Sequence, residues 1–153
     1  MKLLKRFFAK KPRVTKYSED ELRERLTPVQ YEVAHLGRTE DPFTGEYLNT
    51  TTPGTYRCRV CSAELFSSDD KMAAGGSPWP GFSAPVSSDV IAEQSDWAYG
   101  IPRTETLCAD CGAHLGHVFP EGQGGKDTRY CICLLYTSPS PRDLSTSRMP
   151  SSA

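Results

Sequence analysis

Two Cys-x-x-Cys pairs, Cys58 with Cys61 and Cys108 with Cys111, constrain this chain more than any other feature. Each pair presents two thiolates from one tight turn. Two such knuckles complete a tetrahedral sulfur shell around a soft cation, Zn2+ above all, with metal–sulfur distances of about 2.3 Å. Four protein ligands close the shell and leave no position for water or substrate, so one structural zinc is expected rather than a catalytic one. A redox dithiol would need only one of the two pairs. His114 and His117 follow the second pair closely, but four cysteines already fill the shell. The knuckles are further apart than in a zinc ribbon, so the metal is expected to tie together the ends of a whole sheet domain.

Composition narrows the setting. With 153 residues, 37% hydrophobic and 24% charged, the chain fits one globular domain that buries roughly two thirds of its unfolded surface. A formal net charge of -1 offers no cation excess to neutralise phosphates, which argues against nucleic acid as the partner. The charge is uneven, however: Lys2, Lys5, Arg6, Lys10, Lys11, Arg13 and Lys16 all precede the first acidic residue, Glu19. Residues 1–17 therefore read as a basic arm, either a solvated tail or a segment for organelle targeting or a membrane surface. No run approaches the roughly 18 to 20 apolar residues of a membrane span, and charge breaks the first apolar cluster too soon for a signal-peptide core. A reducing, cytoplasmic compartment is expected, where clustered cysteines hold metal rather than disulfides. A monomer is expected.

Ser18 with Glu21 and Thr27 with Gln30 have capping-box spacing, and Pro28 stands where a first helical turn tolerates proline. Two short helices should follow. The second is expected over residues 28–36, with Gly37 as its left-handed stop. Beyond Asp41 the grammar is that of strands and turns: short segments at 55–57, 63–66, 86–91 and 114–119 are separated by Pro, Gly, Asn and Asp. The fold class expected is mainly β.

Cys131 and Cys133 remain outside the two pairs. On an extended strand Arg129 projects to the same face as Cys131, where a guanidinium favours the nucleophilic thiolate. A buried structural thiol is the other reading of the same residues. The run from Cys108 through Gly112-Ala113-His114-Leu115-Gly116-His117-Val118-Phe119, followed by Arg129-Tyr130-Cys131-Ile132, resembles the signature of the methionine sulfoxide reductase B family. Leu26-Thr27-Pro28, Pro42-Phe43-Thr44-Gly45, Gly54-Thr55-Tyr56-Arg57-Cys58 and Trp79-Pro80-Gly81-Phe82 agree in family order. The resemblance spans residues 26–132.

This resemblance implies two antiparallel sheets forming a partly open barrel, with the metal at the pole away from the reactive site. It implies thiol-dependent reduction of methionine-R-sulfoxide through a sulfenic acid on Cys131, in the repair of oxidised proteins. His114 and His117 would be the proton-donating and hydrogen-bonding histidines, and Arg129 the support of the thiolate. Trp79 and Phe82 would line the substrate pocket, with Glu121 in an acidic role. These roles suit the chemistry, since sulfoxide sulfur becomes electrophilic as its oxygen gains a proton. One reductase serves each sulfoxide epimer.

Three departures from the family pattern matter. Ser77 stands where many members carry a resolving cysteine, so an external thiol is expected to recycle Cys131: thioredoxin, glutaredoxin or a small thiol. Cys133 replaces a family Asn, and Pro120-Glu121 replaces an acidic pair. Residues 133–153, rich in Ser and Pro, resemble translated sequencing-adapter read-through and are expected to be a non-native, disordered tail. The domain expected is thus residues 18–132. Two other functions compete: a non-enzymatic zinc-binding interaction module, which would not need His114, His117 and Arg129 beside a spare thiol, and a thiol peroxidase, which would not need an aromatic wall.

Overall fold

The computed structural model describes residues 12–39, 41–44, 47–50, 53–73, 77–97, 100–119 and 128–132. Two capping boxes start the two helices as expected. In α1 (Glu19–Arg25) the Ser18 hydroxyl accepts from Glu21 N at 3.2 Å while Glu21 returns a bond to Ser18 N at 2.9 Å. In α2 (Pro28–Ala34) Thr27 and Gln30 repeat the exchange at 3.2 and 3.0 Å. Regular helix ends at Ala34, two residues short of the expected limit, and the next turn tightens until Gly37 reverses it at φ 75°. Leu22, Val33 and Ala34 carry the buried stripe of the pair. Among the described residues no helix is long and apolar enough to cross a membrane.

The rest is antiparallel sheet. Strands β1 (Thr55–Arg57) and β2 (Glu64–Ser67) form a hairpin. The larger sheet has the order β3-β7-β6-β5-β4, built from β3 (Gly81–Phe82), β4 (Ile91–Asp96), β5 (Arg103–Cys108), β6 (His114–Phe119) and β7 (Arg129–Ile132). The two sheets pack through Phe66 stacked on Phe82 at 4.5 Å and Tyr56 edge-on to Phe82 at 5.2 Å. Neither sheet closes on itself. Residues 86–91, expected to be extended, instead contain a 3-10 turn at Ser88–Val90, because the Ser87 hydroxyl captures Asp89 N and bends the chain before β4 begins.

Within the described residues, the end of the basic arm is tied to the domain at several points, although Thr15 and Lys16 stay exposed. Val14 is buried in the core, Thr15 N donates to Cys111 O at 3.0 Å, and Lys16 pairs with Asp110 at 2.8 Å.

The two cysteine knuckles are backbone copies of each other. Cys58 N donates to Ala63 O and Ser62 N to Cys58 O, both at 2.8 Å; Cys108, Ala113 and Gly112 repeat these bonds at the same distances. Both knuckles therefore place their fifth residue at positive φ, 68° for Ser62 and 88° for Gly112. A Cβ on Gly112 would lie 2.4 Å from Arg13 O. Ser62→Gly is expected to raise stability by about 1 kcal/mol by removing the strain of a left-handed serine. Gly112→Ala should lower it by about 2 kcal/mol or more. Urea midpoints of the two variants check both signs.

Candidate active site and metal centre

The knuckles bring four thiols together. Cys58 Sγ lies 3.7 Å from Cys111 Sγ and Cys61 Sγ lies 3.6 Å from Cys108 Sγ, with all four ligand atoms within 4.8 Å of one another. Sulfurs at the corners of a zinc tetrahedron stand about 3.8 Å apart, so the quartet fits the expected ion. Three of the four are buried and Cys61 is half-buried. Crowding makes the thiols compete for protons: contacts with Cys108 and Cys111 push Cys58 up, and contacts with Cys111 and Cys58 hold Cys108 down. A bound cation relieves that competition by favouring the thiolate at every corner.

The second cluster lies on one face of the larger sheet. Cross-strand register aligns Gln94, Glu105, His117, Cys131 and Gly81 in a row across β4, β5, β6, β7 and β3. Directly paired residues share a face, so His117 stands opposite Cys131, and Arg129 joins them two residues along β7. His114, three residues before His117, would point to the other face of a regular strand. A bulge opposite Thr106 and Leu107 inserts Leu115 and returns His114 to the same side, with the two rings 5.8 Å apart. Cys131 is half-buried and lies outside the sulfur quartet.

Gly81 makes room for the arginine. A Cβ there would meet the Arg129 guanidinium carbon at 2.3 Å, so the guanidinium lies over the glycine that pairs with Cys131. Its Nη1 also approaches Met72 Sδ at 3.6 Å. Met72 borders a cleft of about 450 Å³ with Leu48, Thr50 and Lys71, and Lys71 is committed to the carbonyls of Leu48 and Thr50.

Each histidine is held by a carboxylate. Glu105 meets His114 Nδ1 at 2.6 Å, and Asp96 meets His117 Nε2 at 2.8 Å. Ionised carboxylates only accept, so those ring nitrogens carry the protons. His114 Nε2 is left buried without a hydrogen-bond partner among the described residues. Burial works to raise the Glu105 carboxyl, yet hydrogen bonds from His114 and Arg13 outweigh it and hold the group well below its ordinary value of 4.5. Burial lowers His117 from 6.5, with Asp96 opposing. Both groups therefore bind protons less readily when folded than when unfolded. Acidification through pH 6.5 and then 4.5 should progressively remove stability that is fully present at higher pH. A Glu105→Gln chain should show a shallower decline below pH 4.5 in denaturant titrations.

Residues 26–135 match the SelR domain family. The chain is 48% identical over 121 residues to a peptide methionine sulfoxide reductase of Agrobacterium fabrum, covering 79% of this chain and 88% of that one. Against a Burkholderia mallei peptide methionine sulfoxide reductase it is 50% identical over 113 residues, 73% and 78% of the two chains. The chain belongs to the SelR, or methionine sulfoxide reductase B, family. A mouse (Mus musculus) mitochondrial methionine-R-sulfoxide reductase B3 is 46% identical over 129 residues, 84% of this chain. This family member spans only 51% of the mouse protein's length.

Of the residues expected to form the reductase-family site, His114, His117, Arg129 and Cys131 share one sheet face. Trp79 is half-buried two residues before Gly81, in a turn where the Ser77 hydroxyl donates to Trp79 O at 2.9 Å. Phe82 was expected to line the pocket; strand alternation instead sends it to the opposite face from Gly81, and it is fully buried between Phe66 and Tyr56. It supports the strand from within the core. Glu121 and Cys133 lie outside the described residues. Sequence reasoning missed Glu105, Asp96 and Arg13: the first two are charged residues in strands that also carry apolar ones, and Arg13 lies in the irregular segment ahead of α1.

Proposed function

We propose that this chain reduces methionine-R-sulfoxide, free or in oxidised proteins, to methionine, with Cys131 as the nucleophile. The observation that carries the reading is the direct cross-strand pairing of His117 with Cys131 on a face shared with Arg129 and His114, in a chain of this family. Neutral His117 faces the thiol and can take its proton, while the Arg129 cation steadies the resulting thiolate. The thiolate attacks the sulfoxide sulfur as that proton passes from His117, directly or by way of His114 Nε2, to the oxygen. Oxygen then passes to Cys131, leaving methionine and a sulfenic acid, and the proton count is unchanged. Trp79 offers an apolar face to the substrate methyl group, which supports selection of one epimer.

The sulfenic acid is reduced by an external thiol. One thiol displaces water to form a mixed disulfide, and a second releases Cys131 and an external disulfide. Thioredoxin, glutaredoxin or a small thiol fits this role, since Ser77 offers no sulfur. Cys58, Cys61, Cys108 and Cys111 would hold one zinc, which supplies stability and no open coordination site. The reductase domain is taken as residues 18–132, acting as a monomer. The cytoplasm is the proposed compartment; the mitochondrial name of the mouse relative supports organelle import as the alternative.

Turnover of separate R and S methionine sulfoxide peptides with dithiothreitol tests the reading: only the R epimer should be consumed. Equal consumption of both, or of neither, overturns it. Gly81→Ala should displace Arg129 and cut R-sulfoxide turnover by about 10- to 100-fold, since shifts near 1 Å are enough for such losses. Parallel melting curves would show the fold retained.

A further inference from the structure

We infer that Arg13 is a positioning residue for His114, acting through Glu105, so that the segment ahead of α1 belongs to the reactive site. The inference rests on the reductase reading above.

Arg13 makes a two-pronged contact with a buried carboxylate: Nε donates to Glu105 Oε2 at 2.9 Å and Nη2 to Oε1 at 3.0 Å. Gln94 Nε2 also donates to Oε1 at 3.1 Å, and His114 Nδ1 to Oε2 at 2.6 Å. Each carboxylate oxygen thus holds two donors, which fixes the plane of the group. Without Arg13 each oxygen keeps one, and the carboxylate can turn about its last bond. His114 would turn with it, because Glu105 is the only hydrogen-bond partner of its ring among the described residues. Fixing Nδ1 as the protonated nitrogen also fixes Nε2 as the one left to act.

The surroundings are shaped for this arginine. Its remaining Nη1 donates to Leu36 O at 3.1 Å, and its backbone N to His35 O at 2.8 Å. Val14 N donates to His35 Nδ1 at 3.2 Å. The guanidinium passes over Gly37, where a Cβ would come within 2.4 Å of its central carbon. The side chain is 13% exposed and Glu105 2%, so the pair is shielded from solvent and geometrically specific, unlike an exposed ion pair. Cys131 and His117 share Glu105's row across the sheet.

The test uses full-length Arg13→Met and Arg13→Lys. Three quantities are read: kcat and KM for an R-sulfoxide peptide, the downfield proton resonance of His114 Nδ1–H in histidine-labelled protein, and bound zinc. Arg13→Met should lower kcat by at least about 10-fold with KM within about twofold, because the loss lies in alignment rather than binding. The His114 resonance should move while zinc is retained. Arg13→Lys keeps the charge but not the two-pronged geometry, and should recover part of the rate and part of the resonance position. A loss of kcat with an unmoved resonance, or parental values of both, overturns the inference. If Arg13→Met does not fold, Arg13→Lys decides alone by the same two readings. If the parent protein does not turn over R-sulfoxide, the reductase reading fails, and the resonance still decides whether Arg13 positions His114.

Discussion

Cys131→Ser is expected to abolish R-sulfoxide reduction, a loss on the order of 10⁴-fold or more, while fold and metal content stay as in the parent. The size follows from the chemistry. A serine hydroxyl in the same place has no accessible anion near neutral pH and cannot accept oxygen reversibly, so the covalent route is closed rather than slowed. The fold should survive because Cys131 is half-buried on β7, outside the sulfur quartet, and its backbone pairing with Gly81 and His117 does not depend on the side chain. Serine is also smaller than cysteine at that position. Rates on the R epimer, zinc content and circular dichroism of the purified variant check all three parts.

The second large effect is expected at the other cluster. Cys58→Ser or Cys111→Ser removes one corner of a quartet that joins the β1-β2 hairpin to the turn between β5 and β6. Zinc bound by four thiolates contributes an apparent free energy of roughly 10 to 16 kcal/mol in small domains. That is as large as the whole stability of a typical domain, about 5 to 15 kcal/mol. Loss of one ligand should therefore unfold most of the chain at 37 °C. The parent should behave the same way when a strong chelator strips the ion. Metal analysis with thermal melting reads the effect, and an unchanged midpoint in a metal-free variant would remove the structural role.

Much of this was legible because local rules and long-range function coincide in certain residues. The capping boxes at Ser18 and Thr27 are local hydrogen-bond patterns, and the helices start where they stand. The cysteine pairs are local turns, and their four thiols meet in one cluster of the kind that spacing suggests. Strand β6 was legible as His114–Phe119 because its apolar residues mark it clearly. Strand β5 was not. Arg103-Thr104-Glu105-Thr106 is polar at nearly every position, yet Glu105 and Thr106 are buried. Its charges are satisfied by partners distant in sequence, Arg13 and His114 among them. Sequence periodicity carries no sign of such pairing.

The same gap explains the misreadings at the site. Phe82 stands in a motif with Trp79, but a two-residue strand places Gly81 and Phe82 on opposite faces, and only the glycine side meets Arg129 and Cys131. The bulge at Leu115 that brings His114 beside His117 is a register shift against β5, visible only once the strands are paired. The basic residues ahead of α1 read as an arm, either solvated or for targeting, and that reading gave no sign that Arg13 is matched to Glu105, 92 residues away in sequence.

The central claim, oxygen transfer from the substrate to Cys131, is tested most directly by a single turnover without reductant. Protein with fully reduced cysteines is mixed with excess methionine-R-sulfoxide, trapped with a sulfenic-acid reagent, and mapped by peptide mass spectrometry. Methionine should form in one equivalent per chain, and the trapped sulfenic acid should sit on Cys131, with the S epimer giving neither. Methionine formed with Cys131 unmodified, or with the oxygen or a disulfide carried by another cysteine, would contradict the account.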